Sequence, residues 1–99
     1  MTDRAMDTLK TEIRSRFGEA VVDAHAHSIR HRSEIEASST CGCFYCLKIF
    51  SPKEIREWIR DEDTALCPHC GIDSVLGSAS GYEISVPFTT QMHAAWFST

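Results

Sequence analysis

The chain has no long uninterrupted apolar run, and this excludes a transmembrane helix on length alone. Its start, Met1-Thr2-Asp3-Arg4-Ala5-Met6-Asp7, lacks the apolar stretch of a secretory signal. It also lacks an excess of positive charge, with 10 Lys+Arg against 14 Asp+Glu and a formal net charge of −4. Phosphate backbones attract Lys and Arg, so this balance disfavours nucleic acid as a partner. Arg14, Arg16, Arg30, His31 and Arg32 are interleaved with Glu12, Glu19, Glu34 and Glu36, the pattern of a solvated helical face. A Gly-rich phosphate loop, a Ser/His/Asp order and a paired-carboxylate motif are all missing, which removes the common nucleotide-binding and hydrolase signatures.

What the 99 residues do contain is an ordinary globular composition, 42% hydrophobic and 24% charged. Such a chain reads as a single domain, 1–99, with a modest core that a metal would supplement. Five cysteines are present. Cys43-Phe44-Tyr45-Cys46 and Cys67-Pro68-His69-Cys70 form the pattern C-x2-C-x20-C-x2-C, the spacing of a four-thiolate zinc site. Two sulfurs three positions apart grip one ion from a single tight turn, and thiolate suits tetrahedral zinc(II). Iron in a rubredoxin-like site uses the same donors and is the chemical competitor. Gly71 follows the second pair and tolerates the positive φ such a turn requires, and Pro68 stiffens it. The first pair is followed by Leu47 and has no glycine, so it rests on spacing more than on turn chemistry. The expected ligands are Cys43, Cys46, Cys67 and Cys70, holding one structural Zn2+. The fifth cysteine, Cys41, reads as a buried thiol beside the site. Its sharper reading is a resolving thiol that ejects the metal under oxidation. Zinc-binding thiolates need a reducing compartment, and the cytoplasm fits.

The rest of the chain divides into a helical part over 1–38, the metal module over 39–78, and a loop with a C-terminal helix over 79–99. Met6, Leu9, Ile13 and Phe17 recur at steps of three and four, one apolar helical face that Gly18 breaks or bends. A second helix is expected from about Glu19 to Ala37. Leu47 to Phe50 is a strand candidate. Ser51-Pro52-Lys53-Glu54 carries a capping box with proline at the first helical position, which predicts a short helix with Ile55, Trp58 and Ile59 on its apolar face. Thr64-Ala65-Leu66 and Asp73-Ser74-Val75-Leu76 read as two strands of a hairpin with the second knuckle at its tip. Gly77-Ser78-Ala79-Ser80-Gly81 is a loop. Ser85 then caps a last helix that buries Phe88, Met92, Ala95 and Trp96. The fold class is α+β: a small zinc-ribbon-like module of short strands packed against N-terminal and C-terminal helices.

The histidines invite other chemistry. Asp23-Ala24-His25-Ala26-His27 resembles the Asp-x-His-x-His strand end of metal-dependent amidohydrolases, but that family's barrel needs about 250 residues. His27 and His31, at i and i+4 of the expected helix, are a better-spaced pair, without the glutamate of a zinc-protease motif. Polar helix surface, or a histidine hydrogen-bonded in the core, is the simpler reading of both. His69 and His93 are candidates to hydrogen-bond around the metal site.

The cysteine segment resembles zinc ribbons and rubredoxin-like knuckles in general. More narrowly, Cys41-Gly42-Cys43-Phe44-Tyr45-Cys46, Phe50, Glu54-Ile55, Trp58 and Cys67-Pro68-His69-Cys70-Gly71-Ile72-Asp73-Ser74-Val75-Leu76-Gly77 resemble a family of small, uncharacterised bacterial "cytoplasmic proteins". Gly81-Tyr82 and Met92-x3-Trp96-Phe97 fit the same pattern, so the likeness spans roughly the last 70 residues. It implies a bacterial cytoplasmic origin and a zinc module, and it implies no activity. The first expectation is therefore a structural-zinc protein acting as a protein-interaction or adaptor module. A nucleic-acid-binding zinc module is the alternative, and a hydrolase or redox enzyme using His27, His31 or Cys41 is the third reading.

Overall fold

The computed structural model describes residues 2–97, with side chains from residue 7 onward. It is an α+β structure of four helices and two small antiparallel sheets. Helix α1 (Thr2–Phe17) and α2 (Glu19–Ala24) are separated at Gly18, where φ is 99°. Of the predicted apolar face, Ile13 is buried and Phe17 packs on the core, while Leu9 is exposed and the Met6 side chain lies outside the described residues.

The helix expected from Glu19 to Ala37 is not continuous. A 3-10 turn (His25–Ser28) follows α2, Ile29 is extended at φ −137°, Arg30 is left-handed at φ 48°, and only then does α3 (Arg32–Glu36) begin. The reason is a distant segment. The Arg30 N–H donates to Thr64 Oγ1 at 2.8 Å, and the N–H groups of His31 and Arg32 both donate to the Asp63 carbonyl, at 2.9 and 3.0 Å. These bonds satisfy the orphan donors of a new helix start, so the chain can leave one helix and enter another without unpaired backbone.

The central sheet runs β2-β1-β5, with β1 (Cys41–Cys43) antiparallel to both β2 (Ile49–Phe50) and β5 (Val75–Gly77). The second sheet is the hairpin of β3 (Trp58–Ile59) and β4 (Thr64–Ala65), in register Trp58↔Ala65 and Ile59↔Thr64. Two expectations fail here. The capping box of Ser51 and Glu54 forms, but it opens a single 3-10 turn (Pro52–Glu54), after which Ile55 is extended at ψ 127°. Ile55, Trp58 and Ile59 are residues that favour strands, and pairing with β4 decides the matter. The segments flanking the second knuckle are also not hairpin partners. Thr64-Ala65 belongs to the second sheet, whereas Val75-Leu76 pairs with β1.

The central sheet separates two cores. Its strands send successive side chains to opposite faces. Leu76, with Phe44 from the turn after β1, joins Ile13, Val21, Val22, Ala24 and Met92 on the helical side. Cys41, Cys43 and Val75 join Ile35, Phe50, Ala65 and Cys67 on the other. Helix α4 (Val86–Trp96) covers the first of these, capped as predicted by Ser85 Oγ, which accepts the Phe88 N–H. Met92 is fully buried, and Phe88, Ala95 and Trp96 pack around the same core. Gly42 faces Ile84, Ile49 and Thr89 so closely that a Cβ would meet Ile84 Cγ2 at 2.9 Å. The loop after Leu76 is tied down as a 3-10 turn (Ser78–Ser80) by Ser38 Oγ, which accepts the Ala79 N–H. Among the described residues no helix is long and apolar enough to cross a membrane.

Candidate metal centre

The two cysteine pairs sit on turns built alike. In the first, the Leu47 N–H closes on the Cys43 carbonyl at 2.9 Å, and the Tyr45 N–H points at Cys43 Sγ at 3.3 Å. In the second, the Gly71 N–H closes on the Cys67 carbonyl at 2.9 Å, and the His69 N–H points at Cys67 Sγ at 3.3 Å. Both turns are held from the far side as well, since Cys43 N–H donates to Lys48 O at 3.0 Å and Cys67 N–H to Ile72 O at 2.9 Å. Each leaves the second cysteine through a left-handed residue, Leu47 at φ 68° and Gly71 at φ 81°. Glycine accepts that conformation without cost, while leucine crowds its Cβ against the backbone.

The topology brings the two turns face to face. The sulfurs of Cys43, Cys46, Cys67 and Cys70 all lie within 4.8 Å of one another. Cys43 Sγ is 3.6 Å from Cys70 Sγ, and Cys46 Sγ is 3.7 Å from Cys67 Sγ. A disulfide would need about 2.05 Å, so these are separate thiols. A tetrahedral ion with metal–sulfur bonds of about 2.3 Å has sulfur–sulfur edges of about 3.8 Å, close to both measured approaches. The donor set therefore fits a tetrahedral thiophilic ion, and zinc(II) and iron both meet that description. A tetrad of this kind leaves no open position, which suits a structural ion.

The electrostatic environment differs from one cysteine to the next. Cys43 and Cys67 are buried, and Cys46 and Cys70 are partly exposed. Burial raises the Cys43 thiol well above its ordinary value, only partly offset by the N–H groups of Cys46 and Tyr45. Burial raises Cys70 as well. At Cys67 burial pushes upward too, but the N–H groups of His69 and Cys70 and the neighbouring sulfurs outweigh it, and the thiol sits below its ordinary value. A divalent ion held by the four sulfurs would favour the thiolate form and reverse the upward shifts at Cys43 and Cys70.

Cys41 lies on β1 with no exposed surface, and burial pushes its thiol up to about 12. That is the environment of an inert buried thiol and not of one poised to attack the cluster.

The histidines do not converge on a metal. His31 is buried, its Nδ1–H donating to the His27 carbonyl and its Nε2 accepting the Ala65 N–H at 3.1 Å. Both ring nitrogens are used by the fold, the ring is neutral, and burial lowers its pKa. His27 instead meets Glu34 at 3.0 Å. His25 stacks on Trp96 with ring centroids 3.9 Å apart. His69 and His93 both support the knuckles, by different routes. The His69 ring reaches Glu54 at 3.3 Å, and the His93 Nδ1–H donates to the Phe44 carbonyl, inside the first turn, at 3.1 Å. The pairing of Glu54 with His69 and the left-handed Leu47 were not anticipated from sequence. The second had a visible signal, since Leu47 and Gly71 hold the same offset from their cysteine pairs.

No family model, curated protein or solved structure matches the chain.

Proposed function

We propose that Cys43, Cys46, Cys67 and Cys70 bind one structural zinc(II) ion, and that the chain is a protein-interaction or adaptor module of the bacterial cytoplasm. The observation that carries the zinc reading is the convergence of four sulfurs from two matching turns to within 4.8 Å. Zinc is redox-inert and suits a site whose task is to hold two loops together. The bacterial and cytoplasmic parts rest on the motif resemblance and on the reducing environment that thiolate ligands require. The interaction role is favoured over nucleic-acid binding by the acidic net charge of −4 and by the pairing of Arg14, Arg30, Arg32 and Arg60 with carboxylates. It is favoured over a hydrolase using His27 and His31 because His31 has both nitrogens committed to backbone groups.

The test is native mass spectrometry with elemental analysis on protein from its own host. One zinc per chain supports the reading, and stoichiometric iron or no metal overturns it. Retention on DNA or heparin that is lost with salt would move the nucleic-acid alternative ahead of the adaptor role. A partner protein held at fixed stoichiometry supports the adaptor role.

A further inference from the structure

A concave feature lies beside the first cysteine turn, which contributes Phe44 to its wall. A cleft of about 240 Å³ opens between the His25–Ser28 turn and the loop after Ile59, with His25, Ile29, Phe44, Arg60, Asp73 and Phe97 among its lining residues. Its volume sits just below the usual range of small-molecule sites, about 300–1,000 Å³, which limits an occupant to roughly the size of a free amino acid.

The wall combines three kinds of chemistry. Arg60 Nη2 meets Asp73 Oδ2 at 3.4 Å, and among the described residues neither side chain has another ion pair or hydrogen bond. Both side chains are about two-fifths exposed, at 40% and 41%. The guanidinium keeps spare donors and the carboxylate keeps a spare oxygen, side by side. Ile29 and Phe97 are large apolar side chains left 44% and 37% exposed, and with Phe44 they give the cleft an apolar wall. The His25 ring is held by stacking on Trp96, and among the described residues neither ring nitrogen has a hydrogen-bond partner.

Arg60 is left-handed, at φ 54°, at the start of the loop that joins β3 to β4, and this loop carries its side chain to the cleft wall.

We propose that this cleft binds a small zwitterion, an α-amino acid with an apolar side chain. Its carboxylate lies on Arg60, its ammonium on Asp73, and its side chain against Ile29, Phe44 and Phe97. A ligand with both charges matches a wall that offers both, whereas a simple anion or cation would leave one member of the Arg60–Asp73 pair facing a like charge. The inference is independent of the identity of the metal and of the adaptor role.

The test is titration of the metal-loaded full chain, followed by backbone amide NMR, with three probes: L-phenylalanine, N-acetyl-L-phenylalanine and L-phenylalaninamide. The free amino acid should shift the amides of Ala26, Ile29 and Ser74, and it should bind at least about tenfold more tightly than either blocked form, because each lost charge removes a charge-assisted hydrogen bond. R60Q and D73N should each weaken it by a similar factor while leaving the amides of the two cysteine turns in place. The three-probe comparison on the unaltered protein keeps the test decisive even if a variant misfolds. Absence of shifts at millimolar amino acid overturns the proposal. So does equal binding of the N-acetyl form, which would point to a plain carboxylate, such as a chain terminus, instead of a zwitterion.

Discussion

The first and second cysteine turns share one hydrogen-bonding plan but are supported differently. The first carries Leu47 at the left-handed position and is buttressed by buried groups: Phe44 is 2% exposed, and its carbonyl accepts from His93 on α4. The second carries Gly71 at that position and is supported at the surface by the half-exposed His69–Glu54 pair. The turn with the worse local conformation has the stronger tertiary anchor. A knuckle can thus be held either by its own chemistry or by what packs on it, and this chain uses one of each.

The most severe way to break the comparison is to remove the proposed ion from both turns together. Cys46→Ser and Cys70→Ser should be equally damaging, although they lie on different turns. Structural zinc contributes about 10–16 kcal/mol in small modules, comparable to the whole stability of a domain. We expect loss of bound metal and of the cooperative melt in both variants. Wild-type melting and zinc content in either one would refute the site. Chelation should do the same, and the signals of the sulfur-side residues Ile35 and Val75 should collapse before those of Ile13 and Met92 on the other face of the sheet.

The supports can be compared next. His93→Ala leaves the buried Phe44 carbonyl without its donor and should cost about 1–3 kcal/mol. His69→Ala removes a half-exposed pair and should cost less than about 0.5 kcal/mol. Denaturant melts of the metal-loaded proteins read both, and equal losses would mean that the two turns are supported alike.

Exchange of the left-handed residues sharpens the contrast further. Gly71→Leu should destabilise by about 1–2 kcal/mol, the cost of left-handed backbone for a residue with a Cβ. Leu47→Gly should be near neutral or stabilising by about 0.5 kcal/mol, because relief of that strain is offset by the entropy of glycine. A large loss in Leu47→Gly would show that the leucine side chain, and not the backbone, holds the first turn.

The smallest effect concerns pH. His31 accepts the N–H of Ala65, on the strand leading into the second turn, and burial lowers its pKa below 6.5. Between that lowered value and 6.5 the unfolded chain binds more protons than the folded one, so stability rises with pH through the window and is fully present above it. Acid melts from pH 7.5 downward should show this slope, and His31→Gln should flatten it. An unchanged slope in the variant would assign the effect to another group.

Much of the metal centre was legible because its requirements are local. The spacing within each cysteine pair, the left-handed Gly71, the break at Gly18 and the Ser85 cap are each decided by a few adjacent residues. The histidines were legible only in part. His31 proves to be a core hydrogen-bonder because Ala65, far along the chain, supplies the matching donor.

By itself the sequence determined the α+β class, the paired turns and the four sulfurs that meet. Only the tertiary structure decided that the chain from Glu19 to Ala37 breaks at Ile29, that Trp58-Ile59 forms a strand and that the flanks of the second knuckle enter different sheets. The break at Ile29 and the parting of the knuckle's flanks are settled by backbone donors and acceptors that find partners more than thirty residues away, while Trp58-Ile59 is settled by its hairpin partner Thr64-Ala65. Local propensity carries no record of which group will be there to pair.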